Sequence, residues 1–498
     1  MAHQTVALAD GLRQSISPRI SPAHKSKLGQ FMTPSSVATF MARMFPISDL
    51  PECCLLDAGA GVGALTSAFL DRWAARNGFD FERIAADVYE IDPKLRDHLE
   101  DVLLAYGDQF AEALTVNINS ADFISEAVTN TLLGLGTRYS HAILNPPYKK
   151  INSESDHRRI LRRLGIETVN LYSAFVALAL ELMGPGGHLV AIIPRSFCNG
   201  PYYRHFRDMI LDRSAIRQIH LFASRTKAFK DDDVLQENVI IHLERGGFQG
   251  EISVTTSTDD SFADIERHFH PFERIVFPDD PERFIHVPTS TEHGILELSG
   301  EVRYTLTDLG VSLSTGPVVD FRLKKHIRHD PVANSVPLLY PSHFIGQDTQ
   351  WPNDAAKRGN AILLNEETEK WLYPKGFYTV VRRFSSKEEK RRLVAGIVKP
   401  TSFPNASNLG FENHLNVFHD HKTGLDENLA HGIAAFLNST AADDHFRRFN
   451  GHTQVNATDL RLMRYPSRTK LIAFGKWAKS KGSLTQDMID RQLATLIA

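Results

Sequence analysis

The chain has 498 residues, a formal net charge of −3, 42% hydrophobic and 23% charged residues, and three cysteines. That length suits two or three globular domains, and the charge balance excludes a globally basic polyanion binder, so any nucleic-acid contact must use local patches. Cys53, Cys54 and Cys198 are too few for a disulfide framework and lack metal-ligand spacing, which excludes a zinc site and suits a reducing cytoplasm.

Residues 1–26 are polar, contain Ser and Pro, and read as a flexible N-terminal segment without a signal sequence. Lys27-Leu28-Gly29-Gln30-Phe31-Met32-Thr33-Pro34 then enters a helix from Ser35 to Met44. Backbone N–H groups and the Thr33 hydroxyl at that helix start can hold a carboxylate, or simply cap the helix. Next come a strand, a glycine-rich turn and a helix: Leu55-Leu56-Asp57-Ala58-Gly59-Ala60-Gly61-Val62-Gly63, then residues 64–76. Glycines allow positive φ and close approach of a ligand to the backbone. The acid Asp57 argues against a phosphate-cradling loop and for a ligand with a cationic group. Two more acids end the following strands. Glu90 can accept from a ribose diol. Asp122 can accept from a purine amino group, with Phe123 packed on the base. Each acid alone is an ordinary solvated loop residue. In the order of three successive strands they fit a nucleoside with a positive tail and no phosphate, which is S-adenosylmethionine (SAM), with no metal required.

The next strand runs into His141-Ala142-Ile143-Leu144-Asn145-Pro146-Pro147-Tyr148. Two prolines stop the strand and hold a polar amide, a carbonyl and an aromatic ring on a stiff loop at a strand's C-terminal edge, where open α/β sheets bind ligands. The Asn145 side-chain oxygen and the Pro146 carbonyl can accept both hydrogens of one NH2 group, and Tyr148 can stack on a flat ring. The device suits adenine, cytosine or a glutamine amide; without its upstream partners it is equally a strand-ending turn. No cysteine lies in the motif, which disfavours covalent cytosine-C5 chemistry.

Apolar runs at 188–193, 218–221 and 238–243, alternating with helical patterns at 168–183 and 202–213, extend the α/β rhythm to about residue 245. Gly184-Pro185-Gly186-Gly187 punctuates a helix-to-strand junction. Beyond Gly246-Gly247 the pattern changes to short strands, turns and basic clusters, then to helices at 427–437, 441–448 and from about 485. The expected division is 27–248 for a SAM-binding catalytic domain and 249–498 for a mixed α+β domain. Arg382, Arg383, Lys387, Lys390, Arg391, Arg392, Arg447 and Arg448, with Lys324, Lys325, His326 and Arg328, are candidate phosphate contacts or solvated faces. Arg158, Arg159, Arg162 and Arg163 follow Tyr148 in a polar loop that could close over DNA.

Taken together, the Gly-Gln-Phe-Met-Thr-Pro segment, the glycine turn, Asn145-Pro146-Pro147-Tyr148 and a trailing recognition region resemble the SAM-dependent N6-adenine DNA methyltransferases of bacterial type II restriction-modification systems. The order of motifs is the gamma order, in the manner of PstI/BsuBI-type enzymes. Lys227-Ala228-Phe229 and Asn450-Gly451-His452-Thr453 resemble two later family segments. The resemblance implies a Rossmann-like class I methyltransferase domain with a mostly parallel seven-stranded sheet, plus an α+β target recognition domain. It implies Asn145, Pro146, Pro147 and Tyr148 as catalytic residues, and Thr33, Asp57, Gly59, Gly61, Glu90, Asp122 and Phe123 as cofactor-binding ones. Tyr148 and Phe229 would stack on a flipped base. The implied substrate is adenine in a specific double-stranded DNA sequence. A cognate restriction endonuclease would be a genetic rather than physical partner, and the enzyme would be monomeric. Protein glutamine and RNA guanine amino-group methyltransferases share Asn-Pro-Pro-Tyr and are the alternative, but lack the large C-terminal region and the leading segment.

Overall fold

The computed structural model describes residues 5–498 apart from 22–23, 25–27, 30, 136–137, 224–236, 279, 291–295, 297–298, 354–357, 386–388 and 451–453. The chain forms two compact units, Met1–Thr291 and Glu292–Ala498.

The first unit alternates strands and helices. Its elements are α1 (Thr5–Ile16), α2 (Ser35–Met44), β1 (Glu52–Ala58), α3 (Ala64–Ala74), β2 (Arg83–Tyr89), α4 (Pro93–Gln109), β3 (Leu114–Asn119), α5 (Phe123–Leu133), β4 (Tyr139–Leu144), α6 (Asp156–Arg162), α7 (Leu171–Leu182), β5 (Met183–Pro194), α8 (Arg204–Arg213), β6 (Ser214–Phe222), β7 (Asn238–Arg245), β8 (Ile252–Ser257) and β9 (Glu266–His270). The strands make one sheet in the order β3-β2-β1-β4-β5-β7-β6-β8-β9. β1 to β5 are mutually parallel, while β7 runs antiparallel to both β5 and β6.

The central strands are apolar on both faces because both faces are covered. Alternate residues of β4 and β5 enter two different cores. Ala142, Leu144, Leu189, Ala191 and Ile193 pack in one core with α5, α7 and α8. Ile143, Val190 and Ile192 pack in the other with α2, α3 and α4. Each fully buried Leu, Ile or Val among them contributes about 1.5–3 kcal/mol of transfer free energy.

Four expectations change. The sheet holds nine strands rather than seven, because β8 adds parallel to β6 and β9 antiparallel to β8. For the same reason the first unit passes the expected boundary at 248 and ends at Thr291. Ile252, Val254, Ile275, Ile285 and Val287 belong to its core, and Phe262 stacks on Phe40 of α2 at 4.2 Å. Within the segment read as flexible, residues 5–16 are helical and Ala9 is fully buried in the second core. Gly184–Gly187, read as a helix-to-strand break, instead falls inside β5. There the pairing with β4 jumps from Tyr139↔Met183 to His141↔His188, so the glycine-rich residues are accommodated as a bulge.

The second unit is α+β. One six-stranded sheet contains Ser312–Thr315, Leu415–His419, Tyr378–Arg382, Ala395–Val398, Asp348–Thr349 and Phe344–Ile345, and a five-stranded sheet includes Ser335–Leu339 and Asn408–Phe411. Helices Glu427–Leu437 and Arg468–Lys479 cross with almost no gap. A Cβ on Gly432 would lie 1.9 Å from the Leu471 carbonyl oxygen, and one on Gly475 1.7 Å from that of Asn428. Gly432→Ala or Gly475→Ala is therefore expected to cost about 3 kcal/mol or more through overpacking against backbone. Chemical denaturation of each variant checks this.

Candidate active site

The strand order reverses between β1 and β4, and the crevice beyond their C-terminal ends is the expected ligand position in such a sheet. A cavity opens there. The turn after β1, the ends of β2 and β3, the loop after β4 and the segment before α2 all contribute to its wall. Glu90, Asp122, Phe123, Thr33, Asn145 and Phe175 line it with Gly59 and Gly61, and none of the described lining residues is basic.

The glycine turn is shaped by backbone. Gly59, Gly61 and Gly63 have φ of 85°, 61° and 86°, where L side chains are strained. Gly59 N and Ala60 N both donate to Tyr89 O at 2.9 Å. The Glu90 carboxylate fastens the turn, accepting from Gly61 N at 2.8 Å and from Asp92 N at 2.7 Å. Burial nevertheless pushes the Glu90 pKa up to about 7 against these hydrogen bonds. Asp57 lies elsewhere than expected. It is fully buried beneath the turn and does not line the cavity; its Oδ2 accepts from Thr66 Oγ1 of α3 at 2.6 Å. Its Oδ1 has no partner among the described residues, and burial lifts its pKa to about 7.

Asp122 sits at the wall and caps α5, accepting from Ser125 N at 2.9 Å. Both of its oxygens also face His157 Nε2, at 3.1 and 3.2 Å. Burial acts to raise this carboxyl, but the hydrogen bonds from His157 and Ser125 prevail and hold it below the ordinary range. Phe123 is buried with its ring edge-on to Tyr89 at 5.1 Å and tilted against Phe175 at 5.0 Å.

On the other side of the cavity, the Asn145 amide nitrogen donates to Phe31 O at 2.8 Å and to Thr33 Oγ1 at 2.9 Å. Both amide hydrogens are thus consumed, which fixes the amide orientation by its network and leaves Oδ1 as the acceptor. Tyr148 shares its single Oη hydrogen between Asn145 Oδ1 and Ile192 O, each at 3.1 Å. Its ring packs on Phe31 at 5.2 Å and edge-on to Tyr172 at 6.2 Å. Tyr148 N donates to Gly29 O at 3.1 Å, so the leading segment and the Asn145–Tyr148 loop are laced together. Thr33, read as a carboxylate holder or a cap, here supports Asn145.

Phe31, Phe175 and His157 are site residues that the sequence reading did not select. Phe31 sits inside a segment already marked; Phe175 is hidden in an unbroken apolar helix, and His157 in a polar loop without local pattern. Phe229 lies outside the described residues, as do Lys387 and the Gly451–Thr453 stretch.

In the second unit the basic candidates separate by exposure. Arg391 is spent internally, donating to Gln486 Oε1, Leu437 O and Ser439 O. Arg392 is buried and bonds Ser385 Oγ and Asn450 Oδ1. Arg447 pairs with Asp443 and donates to Glu389 O. Arg382 pairs with Glu389, and Arg383 donates to Asn413 O and Gln454 Oε1. Lys390, Lys324 and Lys325 are exposed. Arg391 and Arg447 thus have donors committed to neighbouring carbonyls, amides and carboxylates, though neither is fully buried.

The raised carboxylates carry a stability consequence. Asp57 titrates near 3.8 ordinarily and about 7 when folded, so its folded form binds the proton more tightly. The stability it contributes is full below about pH 4 and is lost as pH rises through about 7. Asp57→Asn should gain stability relative to wild type as pH rises from 4 to 8, and level off above that. Thermal melting of both proteins across that range checks it.

Residues 91–229 match the family model of the Eco57I restriction-modification methylase. The chain is 50% identical to the type II methyltransferase M.BsuBI of Bacillus subtilis, over 99% of this chain and 98% of that one. It is 42% identical to the type II methyltransferase M.PstI of Providencia stuartii, over 95% of each. In fold it is similar to the type IIL restriction-modification enzyme MmeI solved with DNA, with a TM-score of 0.55 at 11% identity, covering 99% of this chain and 78% of that one. Identity at that level, over nearly the whole of both sequences, shows that the chain belongs to the type II restriction-modification methyltransferase family of M.BsuBI and M.PstI.

Proposed function

We propose that the protein transfers a methyl group from SAM to N6 of an adenine flipped out of a specific double-stranded DNA sequence, as the modification enzyme of a restriction-modification system. The observation that carries this reading is the Asn145 amide. Its hydrogens are committed to Phe31 O and Thr33 Oγ1, so what the amide has left for a ligand is the acceptor Oδ1, which it shares with the Tyr148 hydroxyl.

The cavity suits SAM by its charge. Two acids, Glu90 and Asp122, and no described basic side chain line it, which disfavours a phosphorylated nucleotide and accommodates a cationic nucleoside. In this reading Glu90 takes the ribose hydroxyls with the lone pairs left by Gly61 and Asp92. Asp122 takes the purine amino group between Phe123 and its neighbours. SAM, when bound, supplies an electrophilic methyl on a sulfonium centre.

The remaining work falls to the chain. An exocyclic amine is a poor nucleophile because its lone pair is delocalised into the ring. Asn145 Oδ1 and the Pro146 carbonyl would accept its two hydrogens and draw the nitrogen toward tetrahedral geometry. The same acceptors stabilise positive charge developing on that nitrogen in the transition state. The Tyr148 ring, held by Phe31 and Tyr172, offers a stacking face worth about 1–3 kcal/mol. That offsets part of the few kcal/mol spent on extruding a base.

Sequencing genomic DNA from cells expressing the protein, with detection of modified adenines, tests the reading. N6-methyladenine in one sequence motif is expected; modified RNA or protein with unmodified DNA would select the alternative substrates. Asn145→Ala should lower kcat by about 10²–10³-fold or more while leaving SAM affinity within about fivefold, read by methyl transfer and by calorimetry. Because phosphate contact would rest on exposed cations such as Lys324, Lys325 and Lys390, DNA affinity should fall steeply between low and moderate salt, as measured by fluorescence anisotropy.

A further inference from the structure

Residues 151–169 form an excursion that leaves the chain just after Tyr148 and returns through a neck of two backbone hydrogen bonds. Ile151 N donates to Val169 O and Leu171 N to Lys149 O, each at 2.8 Å. The excursion carries α6 and its arginines. Arg158 and Arg162 share the Glu167 carboxylate, Arg159 pairs with Asp156, and Arg163 is exposed. Leu161 and Ile166 anchor it in the core. From α6, His157 reaches Asp122 on the cavity wall.

Asp122 is thus held from two directions. Ser125 N, one turn into α5, engages Oδ1, whereas His157 engages both oxygens from a different element. The Ser125 contact is a helix cap that any aspartate there would make. The His157 contact is not needed for capping; it decides which way the second oxygen points.

We propose that His157 is a positioning residue for the cofactor: it orients the Asp122 carboxylate toward the purine amino group and links cofactor occupancy to the excursion that follows the catalytic loop. The proposal rests on the reading of the cavity as the SAM site. A carboxylate pinned at both oxygens enters the complex with its rotamer already chosen, so less ordering is left for the ligand to impose. Because the pin rides on α6, a ligand that favours the aligned Asp122 also favours the docked excursion, and the coupling is reciprocal. The charged groups facing His157 are Asp122 at the α5 cap, Asp156 on its own helix, and Lys149 in the loop after β4. The Asp122 hydrogen bond dominates and lifts the imidazole above its ordinary value of 6.5. In acid the contact is a charged pair; as pH rises through that lifted value, only a neutral N–H donor is left.

The test uses the full-length protein, SAM itself as the probe, and three forms: wild type, His157→Gln and His157→Phe. SAM affinity is measured by calorimetry at pH 6 and pH 9, and kcat for methylation at saturating SAM. His157→Phe should weaken SAM binding about five- to tenfold at pH 6, the scale of one charge-assisted hydrogen bond, with kcat within about twofold of wild type. His157→Gln, which keeps a neutral donor, should match wild type at pH 9 and fall behind it at pH 6. Titration of Asp57 and Glu90 near pH 7 is common to all three forms and cancels in their ratios. Equal SAM affinity of wild type and His157→Phe at both pH values would overturn the proposal. So would an identical, pH-independent loss in the Gln and Phe variants, which marks packing alone. A wild-type protein that takes up no SAM would overturn the reading of the cavity, and this inference with it.

Discussion

One amide controls the geometry of the site. Asn145 gives both of its hydrogens to the segment that precedes the first strand of the sheet, one to Phe31 O and one to Thr33 Oγ1. Everything on that side of the cavity depends on this clamp. It sets which atom of Asn145 is left as the acceptor, brings Phe31 under the Tyr148 ring, and ties a segment more than a hundred residues upstream to the end of β4. An aspartate at position 145 would turn an acceptor toward the Phe31 carbonyl, which cannot donate, so that contact favours the amide. Paired hydrogen bonds between buried polar groups are costly to break singly, because the partner left behind stays desolvated.

The opposite wall works by a different principle. There the polar groups are acids, each kept in place by backbone N–H donors: Glu90 by Gly61 and Asp92, Asp122 by Ser125. Apart from His157 on Asp122, the donors are backbone N–H groups rather than basic side chains. Asp57 belongs to this wall only indirectly. Its buried carboxyl steadies the start of α3 through Thr66, at an electrostatic cost visible in its raised pKa.

Much of this was legible in the sequence where the signal is local. The glycine turn, the acids at strand ends and Asn145-Pro146-Pro147-Tyr148 are short patterns set by backbone conformation, and the structure gathers Gly59, Gly61, Glu90, Asp122, Phe123, Thr33 and Asn145 around one cavity. What escaped depends on tertiary neighbours. His157 carries no pattern until α6 folds against Asp122. Arg391 reads as surface charge because nothing local announces that Gln486 and Ser439 will absorb its donors, whereas the Arg447–Asp443 pair is a local i, i+4 contact. Asp57 read as a ligand contact because strand polarity, which turns it beneath the glycine turn, cannot be fixed from one strand alone.

The domain boundary failed for a related reason, and the failure has a practical meaning. A change of rhythm near residue 248 marks where helices stop separating the strands, not where the sheet stops. β8 covers the edge of β6, β9 covers β8, and Ile285 N returns to Cys198 O at 3.0 Å to close the core. The outermost strand begins Glu266-Arg267-His268, charged residues that make it a poor template for another chain. A fragment trimmed at the apparent boundary would strip this guarded border and lay bare a long apolar strand, inviting aggregation. A self-sufficient catalytic fragment must therefore extend past Val287.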